Sequence, residues 1–341
     1  MKETGRLILH NIPSNISETD IRIYLEAQLS DIAQSFSLPS SWPVNEDVVR
    51  LVKQSAGLFI FAATASKFIA DRGAHDPKQQ LTILMSTTYV ASGNASPHRE
   101  LDSLYLRVLH EAFPNISGGQ RARLKTILGT VILLFDPLDP EGLEALLDLD
   151  EGTVRMTLCS LHSIIIVPEV GDGSVRLIHP SVHDFLVDDD RCSDRNFAVR
   201  PQLQHTLLAQ HCLRVLQDLS QDMCKIMNPS ICNQEVTDLP ARIATYIPAH
   251  VQYACRYWAS HLSSGDIHDT MLDLLLQFCS KQLVNWVSVM SLLGELNGTI
   301  TALQLARRKV QVRSGHVVYA ISADKHCWSD NRKSHPRRPR L

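Results

Sequence analysis

The chain has 341 residues, 44% of them apolar and 20% charged, with a formal net charge of −3. That length suits roughly two domains, that composition supports a buried core, and the near-neutral balance supplies no global field for nucleic acid or an anionic membrane. The eight cysteines begin only at Cys159 and form no C-x-x-C pair. Their scatter argues against a disulfide framework or zinc site and for buried thiols in a reducing compartment. The short apolar run after Arg6 is broken by His10, Asn11 and Pro13, too early for a signal peptide or a membrane span. A cytoplasmic protein is therefore expected.

In chain order, Arg6–His10 reads as one buried strand with no sheet of its own to join. Ser17 is the expected N-cap of the first helix, with Asp20 at its third position. Ile21, Tyr24, Leu25, Leu29, Ile32 and Phe36 follow at helical spacing. Leu38–Pro43 breaks that helix, a second starts near Glu46, and Leu58–Ile69 is a nearly all-apolar third. Arg72–Pro97, with its Gly, Asn, Ser and Pro, reads as a connector.

Helices are then expected over Leu101–Ala112, Gln120–Phe135, Glu141–Leu149 and Gly152–His162. The period changes at Ser163–Val167, a strand, followed by a Gly-Asp-Gly turn and a return strand at Val175–Ile178. Three helices followed by a hairpin is the order of a winged helix. His179 stands at the junction between the return strand and a helix starting at Pro180. A histidine there lies beside backbone N–H groups that a helix start leaves unpaired. Beyond Pro201 the pattern is helical again, over Leu203–Leu219, Leu239–Ile247, Val251–Leu262, Met271–Phe278 and Val284–Leu305. Residues 307–341 carry ten Lys/Arg against two Asp/Glu with few apolar residues, the composition of a disordered tail.

Catalytic and metal motifs are not assembled. A P-loop needs a Gly-Lys step, and none occurs. Val131–Asp136 imitates the strand-plus-Asp of a Mg²⁺ site but reads as a helix end before Pro137. Ser181, His183 and Asp184 fan out around one helical turn. His205 and His211, with Cys212, lie six residues apart on a helix and share no face. Catalytic residues: none; metal ligands: none. Residues 101–190 hold six Lys/Arg against fifteen Asp/Glu, a net −9 that disfavours a DNA-reading role, since phosphate neutralisation supplies most non-specific affinity.

Several short motifs occur in a fixed order: Leu9–Pro13, Asp20–Leu25, Ala56–Ile60 with Ala62–Thr64, Leu101–Tyr105, Leu161–Ser163, His179–Ser181 with Asp184–Leu186, and Tyr253–Trp258. Together they resemble the part of fungal NACHT–WD40-type STAND signalling NTPases, relatives of NOD-like receptors, that follows the P-loop core. The resemblance covers about residues 6–305. It implies a mainly α fold without a complete α/β NTPase core: an orphan terminal strand (1–16), a first helical lid domain (17–75), a connector (76–100), a winged-helix domain (101–190), a second helical domain (191–306) and a basic tail (307–341).

By that resemblance the chain is a non-catalytic regulatory lid that stabilises an ADP-bound resting state when joined to a nucleotide-binding core. It implies that His179 faces the nucleotide phosphate and that Gly57, Leu58 and Phe59 lie on the adenine side. Phe59 stands where relatives carry a proline. ADP or ATP is expected only with the missing core, because Walker A, Walker B and the sensor arginine are absent from this sequence. Expected partners are proteins: a nucleotide-binding core, a WD40 segment or signalling proteins, with no nucleic acid and no membrane. A stand-alone helical interaction adaptor using residues 200–305 is the alternative, and a DNA-binding winged helix a third reading.

Overall fold

The computed structural model of the chain describes residues 14–71, 73, 76–86, 98–169, 173–228 and 231–311, with side chains from Ser17 onward. The expected strand over Arg6–His10 and most of the expected tail lie outside the described residues. Among those residues the protein is mainly α-helical, with one two-stranded antiparallel hairpin and no α/β core. It divides into two compact units. The described residues within 1–141 and 150–200 form the first, and those within 142–149 and 201–311 the second.

In the first unit, α1 spans Ser14–Ser35, so the helix begins three residues before the expected cap at Ser17. Ile21, Leu25 and Leu29 are fully buried on its inner side, the i, i+4, i+8 stripe that an amphipathic helix turns to its core. Helix α2 (Asn45–Ser55) ends where Ala56 takes a left-handed conformation (φ 47) and Gly57 follows at φ 80. Only glycine adopts that backbone without strain. Helix α3 (Phe59–Ile69) then buries Phe61, Ala62, Ala65, Phe68 and Ile69. Helices α1, α2 and α3 pack mutually.

The expected connector contains a helix, α4 (Pro77–Met85). Asp76 caps it by accepting from the N–H groups of Lys78 and Gln79 at 3.0 and 3.1 Å, and Pro77 occupies the first turn. That Asp-Pro pair is a start signal in its own right. Polar residues on both sides mask it in the sequence. Arg107 of α5 (Arg99–Ala112) fastens the far end of α4, donating to the carbonyls of Leu84 and Ser86.

Helix α6 (Gly118–Leu133) starts with a reciprocal cap: Ser117 N–H donates to Gln120 Oε1 at 3.0 Å, and Gln120 N–H to Ser117 Oγ at 3.4 Å. Helix α7 (Pro140–Leu147) and α8 (Thr153–Leu158) follow, the latter continued by a short 3₁₀ turn to Leu161. Strands β1 (Ile165–Ile166) and β2 (Arg176–Leu177) pair Ile165 with Leu177 and Ile166 with Arg176. Each is shorter than expected, and Ile178 N–H still reaches the Ile164 carbonyl at 3.0 Å. Helix α9 (Pro180–Val187) completes this region. Residues 142–149, most of α7, group with the second unit.

The second unit is built on α10 (Pro201–Val215) and α12 (Ala249–Ser264), its most extensively packed pair. Helix α11 (Leu239–Tyr246) precedes α12. Helices α13 (Asp269–Gln277) and α14 (Leu283–Leu292) are joined by a π-helical stretch, Phe278–Gln282. The aromatic centre of the unit is Trp258, Phe278 and Trp286, with ring centroids 4.9–5.8 Å apart. Trp286 Nε1 donates to the Cys255 carbonyl at 2.9 Å, giving the buried indole the partner it needs. The single helix expected over Val284–Leu305 is broken at Gly294 (φ 74). A separate helix, α15, covers 296–311, so helix continues past Arg307 into the stretch expected as tail.

Candidate functional site

His179 is the N-cap of α9, extended at φ −151 and ψ 146 and exposed to solvent. Its Nδ1 accepts the Ser181 backbone N–H at 3.2 Å and lies 2.8 Å from Ser181 Oγ. Ser181 Oγ in turn lies 2.8 Å from the hydroxyl of Tyr105 on α5. The backbone N–H of Val182 bonds the His179 carbonyl at 3.2 Å. The helix start is therefore less open than the sequence suggested. The first N–H after Pro180 is taken by the histidine itself.

This geometry assigns a tautomer. An Nδ1 that accepts a backbone N–H carries no hydrogen, so the neutral imidazole holds its hydrogen on Nε2. Ser181 Oγ–H then donates to Nδ1 and Tyr105 O–H to Ser181 Oγ, a one-directional chain from the core to the surface. Tyr105 is fully buried and its ring packs on Phe185 at 5.4 Å. Burial raises the phenol above its ordinary range, which keeps it a donor. His179 Nε2 has no partner among the described residues and stands at the exposed end of this chain.

Beneath lies a charged anchor. Arg191 donates to Asp102 from Nη2 at 2.6 Å and from Nε at 3.1–3.2 Å. The Asp102 side chain is 1% exposed. The hydrogen bond to Asp102 is the leading cause that raises the Arg191 guanidinium above its ordinary value. This fork ties α5 to the turn after α9, and so fixes Tyr105 against Ser181.

The other predicted residues lie apart. Gly57 and Leu58 form the turn between α2 and α3, where Leu58 N–H donates to the Ser55 carbonyl at 2.8 Å. Phe59 opens α3, 48% exposed, edge-on to Tyr24 at 6.2 Å. No hydrogen bond or ring contact among the described residues joins this segment to His179. His183 bonds its neighbour Asp184 at 3.1 Å, while Ser181 turns to His179 and Tyr105. Two surface clefts of about 520 and 650 Å³ lie elsewhere, the first beside Trp42 and the second beside Arg256; His179 lines neither.

Sequence reasoning missed Tyr105 and the Asp102–Arg191 fork, whose members are 76 and 89 residues from their partners. It also missed the true neighbour of His205, which is His261. No group of three or more metal-ligating side chains assembles among the described residues. Compared with family models, curated proteins and solved structures, the chain matches none. What the fold itself defines is a mainly α-helical protein of two units, the first carrying one hairpin and an exposed capping histidine.

Proposed function

We propose that this chain is the non-catalytic, lid-forming portion of a NACHT-type STAND signalling switch, and that His179 contacts the phosphate of an ADP held by a separate nucleotide-binding core. The observation that carries the reading is the cap geometry of His179, whose Nδ1 accepts the Ser181 N–H at 3.2 Å on an exposed residue. With Nδ1 engaged in the cap, the imidazole presents a fixed Nε2–H donor at the surface, the form a phosphate oxygen accepts from.

In this reading His179 would supply one donor to the phosphate end; Phe59, half-exposed at the start of α3, stands on the adenine side by the resemblance alone. The nucleotide supplies the charge and the switch chemistry. This chain's part is to hold one hydrogen bond that exists only while the lid is closed. Such a bond biases a two-state equilibrium by its differential free energy and no more. A charge-assisted hydrogen bond of this kind is worth about 1.5–3 kcal/mol, enough to slow ADP release roughly tenfold to a hundredfold.

The test mixes the chain with a NACHT-type core and measures ADP release. His179→Asn retains a capping acceptor and lacks the outward donor. It is expected to speed release at unchanged melting temperature, whereas His179→Ala speeds release and lowers the melting temperature. Unaltered release in both variants would sink the proposal. ATP turnover by the chain alone would do the same. A stand-alone interaction adaptor is the second reading, and the exposed aliphatic side chains of α15 favour it.

A further inference from the structure

The cleft beside Trp42 differs in composition from an ordinary protein surface. It opens between the second half of α1, the turn that follows and the start of α2, with a volume of about 520 Å³. Small-ligand clefts run from roughly 300 to 1,000 Å³. Its floor is apolar: Ala33 and Val48 are buried and Leu38 is half-buried. Trp42, also half-buried, lines it as well. Trp42 Nε1 bonds to no described residue and is not among the buried polar atoms left without a partner, so it reaches solvent. Between Ala27 and Asn45 the only charged residue is Asp31, which does not line the cleft. A solvated helix face ordinarily carries charge. Here it carries Ser30 and Gln34, one turn apart on α1, with Ser37 just past its end.

The carboxylate that lines the cleft is already engaged. Glu26 Oε1 accepts from Arg22 Nε at 2.8 Å, and Arg22 Nη2 donates to Asn45 Oδ1 at 2.7 Å. The second bond orients the Asn45 amide. With its oxygen turned to Arg22, its Nδ2 remains a donor without a partner among the described residues. The side chains of Ser30, Gln34, Ser37 and Ser40 also make no hydrogen bond to a described residue. The rim is therefore neutral, made of hydroxyls and amides that donate and accept, set around an apolar floor and an indole. An anion meets Glu26 and no free cation on this rim. A purely apolar ligand strands the hydroxyls and amides away from water, which costs free energy. The chemistry that answers both parts is an uncharged ring with apolar C–H faces and hydroxyl edges.

We propose that this corner between α1 and α2 binds a neutral sugar, one pyranose ring resting on Trp42 with its hydroxyls on Gln34, Asn45 and the serines. Each sugar hydroxyl both donates and accepts, as the rim does, and tryptophan offers an apolar face with a polar N–H at its edge. A single pyranose has about 12 non-hydrogen atoms, which at the efficiency of drug-sized ligands gives a dissociation constant in the millimolar range. The site shares no residue with the nucleotide contacts proposed above, so either reading can fail alone.

The test follows the indole N–H resonance of Trp42 in the ¹⁵N-labelled full chain, assigned by its loss in Trp42→Phe. The probes are the methyl pyranosides of glucose, mannose and galactose, and the disaccharide of N-acetylglucosamine, each added to tens of millimolar. At least one is expected to shift the Trp42 signal saturably, while inorganic phosphate leaves it in place. Trp42→Ala should abolish binding, read from the backbone signals of α1. Because that variant removes half-buried area, Gln34→Ala serves as the second. Gln34 is exposed, so the melting temperature should hold while affinity falls about threefold to tenfold, the worth of one hydrogen bond. No saturable shift with any of the four sugars would overturn the proposal. So would sugar binding that Gln34→Ala leaves unchanged, or a cleft that phosphate or a proline-rich peptide saturates and the sugars do not.

Discussion

The Nδ1 atoms of His205 and His261 lie 2.8 Å apart between α10 and α12, and His261 is fully buried. The other nitrogen of His261 lies 2.7 Å from the Tyr253 hydroxyl. Two imidazoles that share a hydrogen in this way are both neutral or hold one extra proton between them; two protons would set donor against donor.

The first prediction concerns pH. Burial first, and the neighbouring His205 second, lower the His261 pKa to about 3. The unfolded chain takes up a proton near pH 6.5, and the folded chain resists until far lower. Protons therefore favour unfolding. Stability from this group is complete above about pH 6.5 and declines as pH falls toward about 3, by up to about 1.4 kcal/mol per pH unit. Burial lowers the His205 pKa as well, in the same direction. Melting temperatures followed from pH 7.5 to 4.5 should fall more steeply for wild type than for His261→Gln. Equal slopes would remove this pair as the source.

The second prediction concerns the cap of α9. His179→Ala removes the acceptor for Ser181 N–H and should cost about 1 kcal/mol. Tyr105→Phe removes the buried donor to Ser181 and should cost about 1 kcal/mol as well. The two share one hydrogen-bonded chain, so the double variant should lose less than the sum. Denaturant midpoints of the four proteins measure the coupling. Strict additivity would mean that the chain does not act as a unit.

A third expectation follows from the Asp102–Arg191 fork. Asp102→Ala leaves a guanidinium at 14% exposure without its carboxylate. Breaking a buried pair from one side costs about 3–5 kcal/mol. The loss should appear as a lower denaturant midpoint, together with faster hydrogen exchange in α5 and α9. Replacing both partners by apolar residues of similar volume should recover much of it, because the desolvation penalty disappears as well. A double variant as unstable as the single one would mean that the fork contributes more than the cost of an orphaned charge.

Gly265 supplies a fourth. A Cβ there would stand 2.5 Å from the Thr206 backbone nitrogen and 2.7 Å from its hydroxyl. The neighbouring Asp266 N–H donates to that same hydroxyl at 2.6 Å. Gly265→Ala forces backbone apart rather than a flexible side chain and should cost about 1–3 kcal/mol. Chemical unfolding of this variant, beside Gly298→Ala as a control with only an ordinary contact to Met290 at 3.5 Å, separates crowding from helix propensity.

Much of the helical inventory was legible in the sequence, because it rests on local periodicity. Ile21, Leu25 and Leu29 announce α1 from spacing alone, and Gly173 with the apolar runs around it announces the hairpin. The misses have local causes too. Helix α4 is hidden in the sequence although Asp76-Pro77 marks its start, since the polar composition on either side resembles a connector. The break at Gly294 is hidden because apolar residues continue in helical register on both sides.

The candidate site divides along the same line. Sequence alone put His179 at a strand-to-helix junction, since that follows from the order Leu177, His179, Pro180. It also located the acidic character of residues 101–190 and the histidine at 205. Which nitrogen of His179 faces outward was decided only by the fold, because it depends on Ser181 and on Tyr105 arriving from another helix. The same holds for His205, whose partner is 56 residues away. Helix periodicity is a property of neighbours within one turn, so it is written in the chain. A tautomer, a buried ion pair and a cleft are properties of what lies opposite, and only packing determines that.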